Sequence, residues 1–159
     1  MTAAFIGLGA NLGEPRAQVR AAIEALSHLP DTRLLACSSL YRSAPQDFAA
    51  QPDYVNAVAK IETALAPRAL LDALLAIERG FGRERSFAGA PRTLDLDLLL
   101  YGEIALDEPH LHLPHPRMHQ RAFVLAPLAE IAPATSIPGH GPIAPLLARC
   151  ASQQLERLK

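Results

Sequence analysis

Two aspartates near the middle of the chain have the spacing of a metal site. Asp95 and Asp97 alternate with leucines at positions 94, 96, 98 and 100. Because successive side chains of a β-strand point to opposite faces, a strand here is expected to bury the leucines and to place both carboxylates on the other face. Two residues of strand rise span roughly 6.6 Å, so the carboxylates can bind one cation or bracket a pair. Mg²⁺ prefers carboxylates together with water and substrate phosphates.

Arginines precede this strand. Arg83 and Arg85 begin a polar loop that runs to Pro91, and Arg92 follows directly. A guanidinium group can donate two parallel hydrogen bonds to a phosphate, so these side chains are candidates for binding a polyphosphate. The loop has few apolar anchors, and we expect it to be mobile in the free protein and to close over bound ligands. The alternative is an exposed strand face with solvated acids beside a loop of ordinary surface charge.

Four histidines fall within ten residues, at positions 110, 112, 115 and 119. A zinc site is one interpretation, since imidazole nitrogens are common zinc ligands. Prolines at 114 and 116 interrupt the strand pattern, however, and neither cysteine lies nearby. The other interpretation is that a single histidine binds a phosphate beside Arg117 and Arg121.

An aromatic ring and an amide begin another alternating segment. Tyr54 and Asn56 share one face of a strand predicted from Asp53 to Thr63, directly after a loop of about ten residues. A ring and an amide together can stack on a flat heterocycle and hydrogen-bond its edge. A partly exposed strand face is the alternative that these residues leave open.

The elements that must position these side chains alternate along the chain as strand, helix, strand, loop, strand, helix, strand, a return and a terminal helix. The order predicts an α+β fold with helices packed on one face of a mainly antiparallel sheet. Strands are expected at residues 3–8 and 33–42, and the terminal helix at residues 143–158. The glycines at 7, 9 and 13 are interpreted as a tight turn before a helix opened by Pro15, because the Gly-Lys-Ser/Thr ending of a P-loop is absent from the sequence.

Length and composition limit the class of protein. The 159 residues are expected to form a single domain, 1–159, with a substantial core. The net charge of -1 provides no field that attracts nucleic acid, and the N-terminus has the features of neither a signal peptide nor a membrane span. The two cysteines form no metal or redox motif, so a reducing cytoplasm is the expected location.

Five segments together resemble the 6-hydroxymethyl-7,8-dihydropterin pyrophosphokinase family of folate biosynthesis. They are residues 9–13, 51–56, 82–85, 90–97 and 113–123. The resemblance covers nearly the whole chain. Its most specific parts are Arg-Thr-Leu-Asp-Leu-Asp at 92–97 and Pro-His-Pro-Arg-Met-His at 114–119.

The resemblance implies a ferredoxin-like α/β sandwich, usually monomeric, that uses ATP and two Mg²⁺ ions. Enzymes of this family transfer pyrophosphate from ATP to the hydroxymethyl group of the pterin and release AMP. The partners implied are therefore two small molecules, ATP and 6-hydroxymethyl-7,8-dihydropterin, with no nucleic acid and no membrane.

The resemblance also assigns roles to individual residues. The implied magnesium ligands are Asp95 and Asp97, which with Arg83 and Arg92 make up the catalytic set. The implied nucleotide-binding residues are Glu78, Arg83, Arg85, Arg92, His112, His115 and Arg121. The implied pterin-binding residues are Tyr54 and Phe123 by stacking, Asn56 at the polar edge, the backbone around Ser43 and Ala44, and Asp95.

One departure and two competing functions accompany this assignment. Many members carry a Trp in the loop before the Pro-Arg-Thr segment, where this chain has Phe87-Ala88-Gly89-Ala90. Phe87 is a candidate substitute, or the closed loop is held more loosely. A metal-dependent nucleotidyl- or glycosyltransferase can also use Asp-x-Asp, and a non-catalytic ligand-binding regulatory domain is the alternative of another class.

Overall fold

The structure is a computed structural model that describes residues 1–44, 52–81 and 94–158. Its strands are β1 Thr2–Ala10, β2 Thr32–Cys37, β3 Tyr41–Ser43, β4 Tyr54–Thr63, β5 Asp95–Tyr101, β6 Leu106–Glu108, β7 Leu111–Leu113, β8 Ser136–Ile137, β9 Gly141–Pro142 and β10 Leu155–Arg157. Its helices are α1 Pro15–Ser27, α2 Pro67–Gly80, α3 Ala122–Ile131, α4 Ile143–Ala148 and a short 3₁₀ helix, Met118–Gln120.

The main sheet of the described residues has the order β10-β3-β4-β1-β5, and β2 also pairs with β4. Every pairing in it is antiparallel. The predicted α+β class with a mainly antiparallel sheet is therefore confirmed. β1 lies between β4 and β5, so it is the strand through which the two predicted site strands are joined.

Helices cover both faces of this sheet. On one face, Ile6 and Leu8 belong to a core that includes residues of α1 and α2. On the other face, Phe5 and Val58 belong to a core that includes residues of α3 and α4. The prediction of helices on one face was wrong, because β1 and β4 carry apolar side chains on both faces and each face needs cover. Each large apolar side chain buried in this way stabilises the fold by about 1.5–3 kcal/mol.

Helices α1 and α2 follow the same local rules. Each has a proline in its first turn, where the missing N–H costs no helical hydrogen bond. The buried stripe of α1 is Val19, Ala22 and Leu26. That of α2 is Leu70, Leu74 and Glu78, so its last buried side chain is a carboxylate rather than an aliphatic group. No helix among the described residues is both long and apolar enough to cross a membrane.

A β-bulge divides β5 into two halves. The pairing partner of Phe5 is Leu100 and that of Ile6 is Leu98, so Leu99 is an extra residue in β5. Leu98 therefore packs in the core that includes α1 and α2, whereas Leu99 and Leu100 pack in the core that includes α3. The prediction that Leu100 shares a face with the earlier leucines was wrong, because one extra residue reverses the alternation.

The strand predicted at residues 33–42 is two strands, β2 and β3, which both pair with β4. Ser38 lies between them and forms two hydrogen bonds with a single residue of β4, Val58. Its N–H donates to the Val58 carbonyl, and its hydroxyl accepts from the Val58 N–H, at 2.9 Å in each case. A side chain thus replaces a backbone acceptor at this point and interrupts the strand.

The terminal helix predicted at residues 143–158 ends early. Helix α4 stops at Ala148, and the chain turns and returns as β10, which pairs with β3. In the turn, Gln153 accepts a hydrogen bond from the Ala122 N–H at 2.9 Å and donates one to the Gln120 carbonyl at 2.7 Å. The prediction was wrong because β3 offers an unpaired edge, and pairing with it satisfies backbone groups of β10.

Candidate active site

The two aspartates lie on the sheet face that α3 covers. Across the sheet, Asp95 pairs with Gly9 and Asp97 pairs with Gly7. Both carboxylates are half-buried, and the residues on either side of them alternate into the opposite core. The register thus places two oxygen-donor side chains side by side on one face, as the sequence pattern predicted.

The Glu78 carboxylate is joined to the strand that carries the aspartates. Its Oε2 atom accepts a hydrogen bond from the backbone N–H of Leu96, at 2.7 Å, and the side chain is only 2% exposed. Within the described part of the sheet β5 is the last strand, so this N–H has no strand partner on that side. A buried ion needs such hydrogen bonds to offset its desolvation.

An amide, a hydroxyl and a ring lie at the start of β4. Asn56 is 4% exposed, and its Nδ2 donates to the Ser43 hydroxyl at 2.6 Å. Tyr54 pairs with Ser43 in the neighbouring strand and is half-buried. Because Nδ2 is bound to Ser43, the Asn56 amide is held in one orientation.

Two glycines separate this group from the aspartates. Gly9 lies between Asn56 on β4 and Asp95 on β5, and Gly7 lies between Val58 and Asp97. The sequence analysis interpreted this glycine run as a tight turn and ended the strand at residue 8, whereas Gly7 and Gly9 both belong to β1. The signal was their i, i+2 spacing inside an apolar strand, which removes side chains from one face only. Gly13, with φ of 65°, is the glycine that makes the turn.

His115 is fixed against the same strand as the aspartates. Its N–H donates to the Leu99 carbonyl at 2.9 Å, so the chain after β7 docks on β5. Its Nδ1 accepts a hydrogen bond from the Arg117 N–H at 3.1 Å. That contact assigns the ring proton of the neutral imidazole to Nε2, which leaves one N–H donor for a ligand.

Positive charge and burial keep His115 neutral. Burial, then Arg121, then Arg117 lower the pKa of its imidazole from 6.5 to about 4. At neutral pH the side chain is therefore a hydrogen-bond donor without a charge, and the cationic groups of this region are the arginines. Such a donor suits a phosphate oxygen that arginine charges already neutralise.

Arg121 and Phe123 lie together at the beginning of α3. The Arg121 guanidinium carbon is 5.4 Å from the centroid of the Phe123 ring, within the range of a cation–π contact. The 3₁₀ helix before them is anchored by Met118, which is fully buried. This short connection brings the Arg121 cation close enough to His115 to act on its pKa.

Two of the remaining histidines, His112 and His119, have separate partners among the described residues. His112 contacts Asp107 in the β6–β7 hairpin, with 2.6 Å between Nδ1 and Oδ1. His119 stacks on His140, with ring centroids 3.8 Å apart. The described residues include no group of three or more histidine, cysteine, aspartate or glutamate side chains that could hold a metal. This arrangement does not favour the zinc interpretation.

Several predicted residues lie outside the described part of the chain. They are Arg83, Arg85, Arg92 and Phe87, together with the predicted closing loop from Arg83 to Pro91. Ala44 is described and exposed, directly after Ser43 at the end of β3. The predicted site residues that the structure describes are Ser43, Ala44, Tyr54, Asn56, Glu78, Asp95, Asp97, His112, His115, Arg121 and Phe123.

These groups define a class of site. Paired carboxylates with a guanidinium and an imidazole donor suit a metal-bound phosphate chain, whereas the rings and the amide suit a flat heterocycle. Transfer of a phosphoryl group needs positioning and electrostatic stabilisation more than it needs a general base. The arrangement is therefore that of a phosphoryl-transfer enzyme with a heterocyclic acceptor.

Comparison with known proteins identifies the family. The profile described as 7,8-dihydro-6-hydroxymethylpterin-pyrophosphokinase (HPPK) matches residues 5–133. The chain is 52% identical, over 97% of its length and 95% of the relative, to the 2-amino-4-hydroxy-6-hydroxymethyldihydropteridine pyrophosphokinase of Pseudomonas aeruginosa. It is 46% identical to the Haemophilus influenzae protein of the same name, over 99% of both chains. The chain belongs to the HPPK family, and the predicted family is confirmed.

A solved structure agrees on the fold. The crystal structure of wild-type Plasmodium falciparum HPPK-DHPS superposes with a TM-score of 0.72 at 12% sequence identity, covering 93% of this chain. At that identity the likeness concerns the fold alone. The chain spans 41% of that longer protein.

Proposed function

We propose that the protein transfers pyrophosphate from ATP to the hydroxymethyl group of 6-hydroxymethyl-7,8-dihydropterin and releases AMP, a step of folate biosynthesis. A bond forms between the hydroxymethyl oxygen and the β-phosphorus of ATP. The bond from the β-phosphorus to the oxygen that bridges the α- and β-phosphates breaks. The hydroxyl proton is lost to solvent, and AMP leaves with the bridging oxygen.

The observation that carries the proposal is a set of three residues that lie side by side across the sheet. Asn56, Gly9 and Asp95 are paired residues of three neighbouring strands. A group suited to a heterocycle edge and a group suited to a metal are therefore separated by two strand spacings, about 9.6 Å. Two fused six-membered rings with one substituent carbon have a comparable length, so the ring edge and the reacting hydroxyl can be held at the same time.

The donor set fits magnesium. Asp95 and Asp97 offer carboxylate oxygens on one half-buried face, and oxygen donors with room for water are what Mg²⁺ prefers. We propose that they hold two Mg²⁺ ions, which when bound neutralise phosphate charge and favour ionisation of the attacking hydroxyl. Glu78 acts behind them by holding the Leu96 N–H and thereby the strand. We propose no direct contact of Glu78 with the metal.

The nucleotide phosphates are proposed to bind between the aspartates and the segment that carries His115 and Arg121. His115 donates from Nε2 to a phosphate oxygen, and Arg121 supplies charge at the beginning of α3. Arg83 and Arg92 are proposed to stabilise the charge that develops on the phosphates, and Arg85 to bind the chain of phosphates. His112 and Glu78 are proposed to lie near the nucleotide.

The pterin is proposed to stack between Tyr54 and Phe123. The Asn56 amide, held by Ser43, reads its polar edge together with the backbone at Ser43 and Ala44. Such a pocket rejects rings that cannot match the amide, because a buried polar group left unpaired costs binding energy. We propose that the enzyme works as a monomeric single domain in the cytoplasm.

Product analysis tests the reaction. The protein is mixed with ATP, Mg²⁺ and the hydroxymethyl pterin, and the products are identified by mass spectrometry and phosphorus NMR. Formation of AMP and a pterin diphosphate in equal amounts is expected. A pterin monophosphate with ADP would indicate an ordinary kinase, and a pterin-nucleotide conjugate with released pyrophosphate a nucleotidyltransferase. An Asp97→Asn protein serves as the control, since it lacks one metal ligand and is expected to give neither product at a comparable rate.

A further inference from the structure

The part of the sheet between Asn56 and Asp95 carries no side chain on their face, because the residue there is a glycine. Gly9 is the residue that separates them, and it is half-buried. Any other amino acid at this position would place a Cβ on the same face as the amide and the carboxylate. The structure therefore has room at the one point where a ring spanning both groups must pass.

A Cβ at this point would crowd the amide. It would lie 3.2 Å from Asn56 Oδ1 and 4.0 Å from Tyr54 Cδ1. Asn56 has little freedom to retreat, because it is 4% exposed and its Nδ2 is bound to Ser43 at 2.6 Å. A side chain at Gly9 would therefore clash with Asn56, the residue proposed to read the pterin edge.

The neighbouring glycine differs. A Cβ at Gly7, two residues earlier on the same face, would be 3.4 Å from the Leu99 side chain, an ordinary van der Waals distance. That position lies between Val58 and Asp97, away from the amide. A methyl group is therefore compatible with the structure at Gly7 and in conflict with it at Gly9.

We propose that Gly9 is a specificity-determining residue of the pterin pocket. Its missing side chain leaves room for the bicyclic ring, stacked between Tyr54 and Phe123, to pass over β1 with its polar edge at Asn56 and its hydroxymethyl group at Asp95. This inference rests on the proposed function and adds to it a residue that binds through its shape. A methyl group in a fitted pocket changes selectivity by roughly 10- to 200-fold, and a loss of this size is expected for pterin binding.

Matched alanine variants test the proposal. Gly9→Ala and Gly7→Ala are prepared, and binding of the hydroxymethyl pterin and of a non-hydrolysable ATP analogue with Mg²⁺ is measured by calorimetry. Gly9→Ala is expected to weaken pterin binding by roughly 10- to 200-fold, with ATP-analogue binding changed less than 3-fold, on the order of the scatter between neutral substitutions. Gly7→Ala is expected to bind both ligands as the wild type does. Equal pterin affinity in the two variants, whether both are weakened or neither, would overturn the proposal.

A measurement on the unmodified protein covers the case in which Gly9→Ala fails to fold. Pterin is titrated into ¹⁵N-labelled wild-type protein, and the amide signal of Gly9 is compared with that of Gly139, which lies between β8 and β9. A shift confined to Gly9 supports the proposal, and an unmoved Gly9 signal at saturating pterin overturns it. If the wild type binds no pterin at all, the proposed function fails first, and the titration itself shows this.

Discussion

The Glu78 carboxylate accepts a hydrogen bond from the backbone N–H of Leu96, the residue between the two aspartates, with 2.7 Å between Oε2 and N. A helix on one face of the sheet thereby fixes the strand that carries the proposed metal ligands on the other face. Leu96 itself points into the core beneath, so both its backbone and its side chain resist movement of the strand.

Replacing Glu78 is expected to loosen the aspartate pair. Glu78→Leu leaves the Leu96 N–H without this acceptor, a loss of about 1–3 kcal/mol in the free energy of unfolding, whereas Glu78→Gln keeps an oxygen and loses less. The Mg²⁺ concentration for half-maximal activity should rise more in the leucine variant than in the glutamine variant. Urea unfolding and a Mg²⁺ titration at saturating ATP measure both. Glu130→Gln is the control, because it also alters a carboxylate that binds a backbone N–H but lies away from β5; a similar rise there would contradict the positioning role.

Removing either aspartate is expected to abolish most of the turnover. Asp95→Asn and Asp97→Asn each retain the size of the side chain but lose the charge, and loss of one charge-stabilising group costs on the order of 10²-fold or more in rate. Circular dichroism verifies that the variants fold. Turnover close to wild type in both folded variants, assayed across a range of Mg²⁺ concentrations, would remove the metal assignment.

The neutrality of His115 predicts a particular titration. Its imidazole should titrate near pH 4, and Arg121→Ala should raise that pKa because a neighbouring positive charge is removed. Since the unfolded chain binds a proton near pH 6.5 and the folded chain does not, this group should make stability fall as the pH drops from about 6.5 to about 4. Histidine NMR titrations of both proteins measure the pKa. Arg20→Ala, on α1, is the control, and an equal shift there would show that Arg121 has no local effect.

Phe123 is expected to matter for the pterin more than for ATP. Phe123→Ala removes one of the two rings proposed to stack on the substrate, and a stacked ring pair contributes about 0.5–1.5 kcal/mol beyond buried area. Pterin affinity should therefore fall at least several-fold while ATP affinity changes little. Calorimetry with each ligand checks this. Phe5→Leu alters a ring on the same sheet face, beside Leu100, and should leave both affinities near wild type; equal losses for both ligands in Phe123→Ala would assign Phe123 to the core alone.

Glu130 links the end of α3 to the opposite edge of the sheet. It accepts hydrogen bonds from the Tyr41 hydroxyl at 2.6 Å and from the Ser39 N–H at 3.0 Å. Burial raises its pKa, but these hydrogen bonds and the charge of Arg157 outweigh burial and hold the pKa below 4.5. The stabilisation is therefore present above pH 4.5 and lost as the pH falls through the lowered pKa. Urea unfolding should show Glu130→Gln to be less stable than wild type at pH 7, with the difference shrinking at pH 3; a constant difference would argue against the ionised contact.

The geometry of the candidate site could be predicted from the sequence where it is local. The alternation of Asp95 and Asp97 with leucines is enough to orient both carboxylates once the segment is a strand. The role proposed for Gly9 could not be predicted, because it depends on which residues of β4 and β5 become its neighbours, and pairing register is a long-range property. The same holds for Glu78, whose partner Leu96 is distant in sequence and adjacent only in the fold.

The fold was predicted well where patterns are periodic and poorly where one residue changes the pattern. Pro15 and Pro67 mark helix starts that the structure places at those residues. Ser38, by contrast, interrupts a strand through a side-chain hydrogen bond that no periodicity reveals. The C-terminal strand was missed because its stability comes from the free edge of β3 rather than from its own sequence.

The bulge at Leu99 places an additional leucine on the face of β5 that carries Asp95 and Asp97. Before the bulge, the strand face toward α3 carries Asp95 and Asp97. After it, the same face carries apolar residues of the core that includes α3. Deleting Leu99 would remove the bulge and restore regular alternation, so Leu100 and Tyr101 would keep their present faces. What the extra residue adds is therefore a second leucine in the core under α3, directly after the half of the strand that carries the proposed metal ligands.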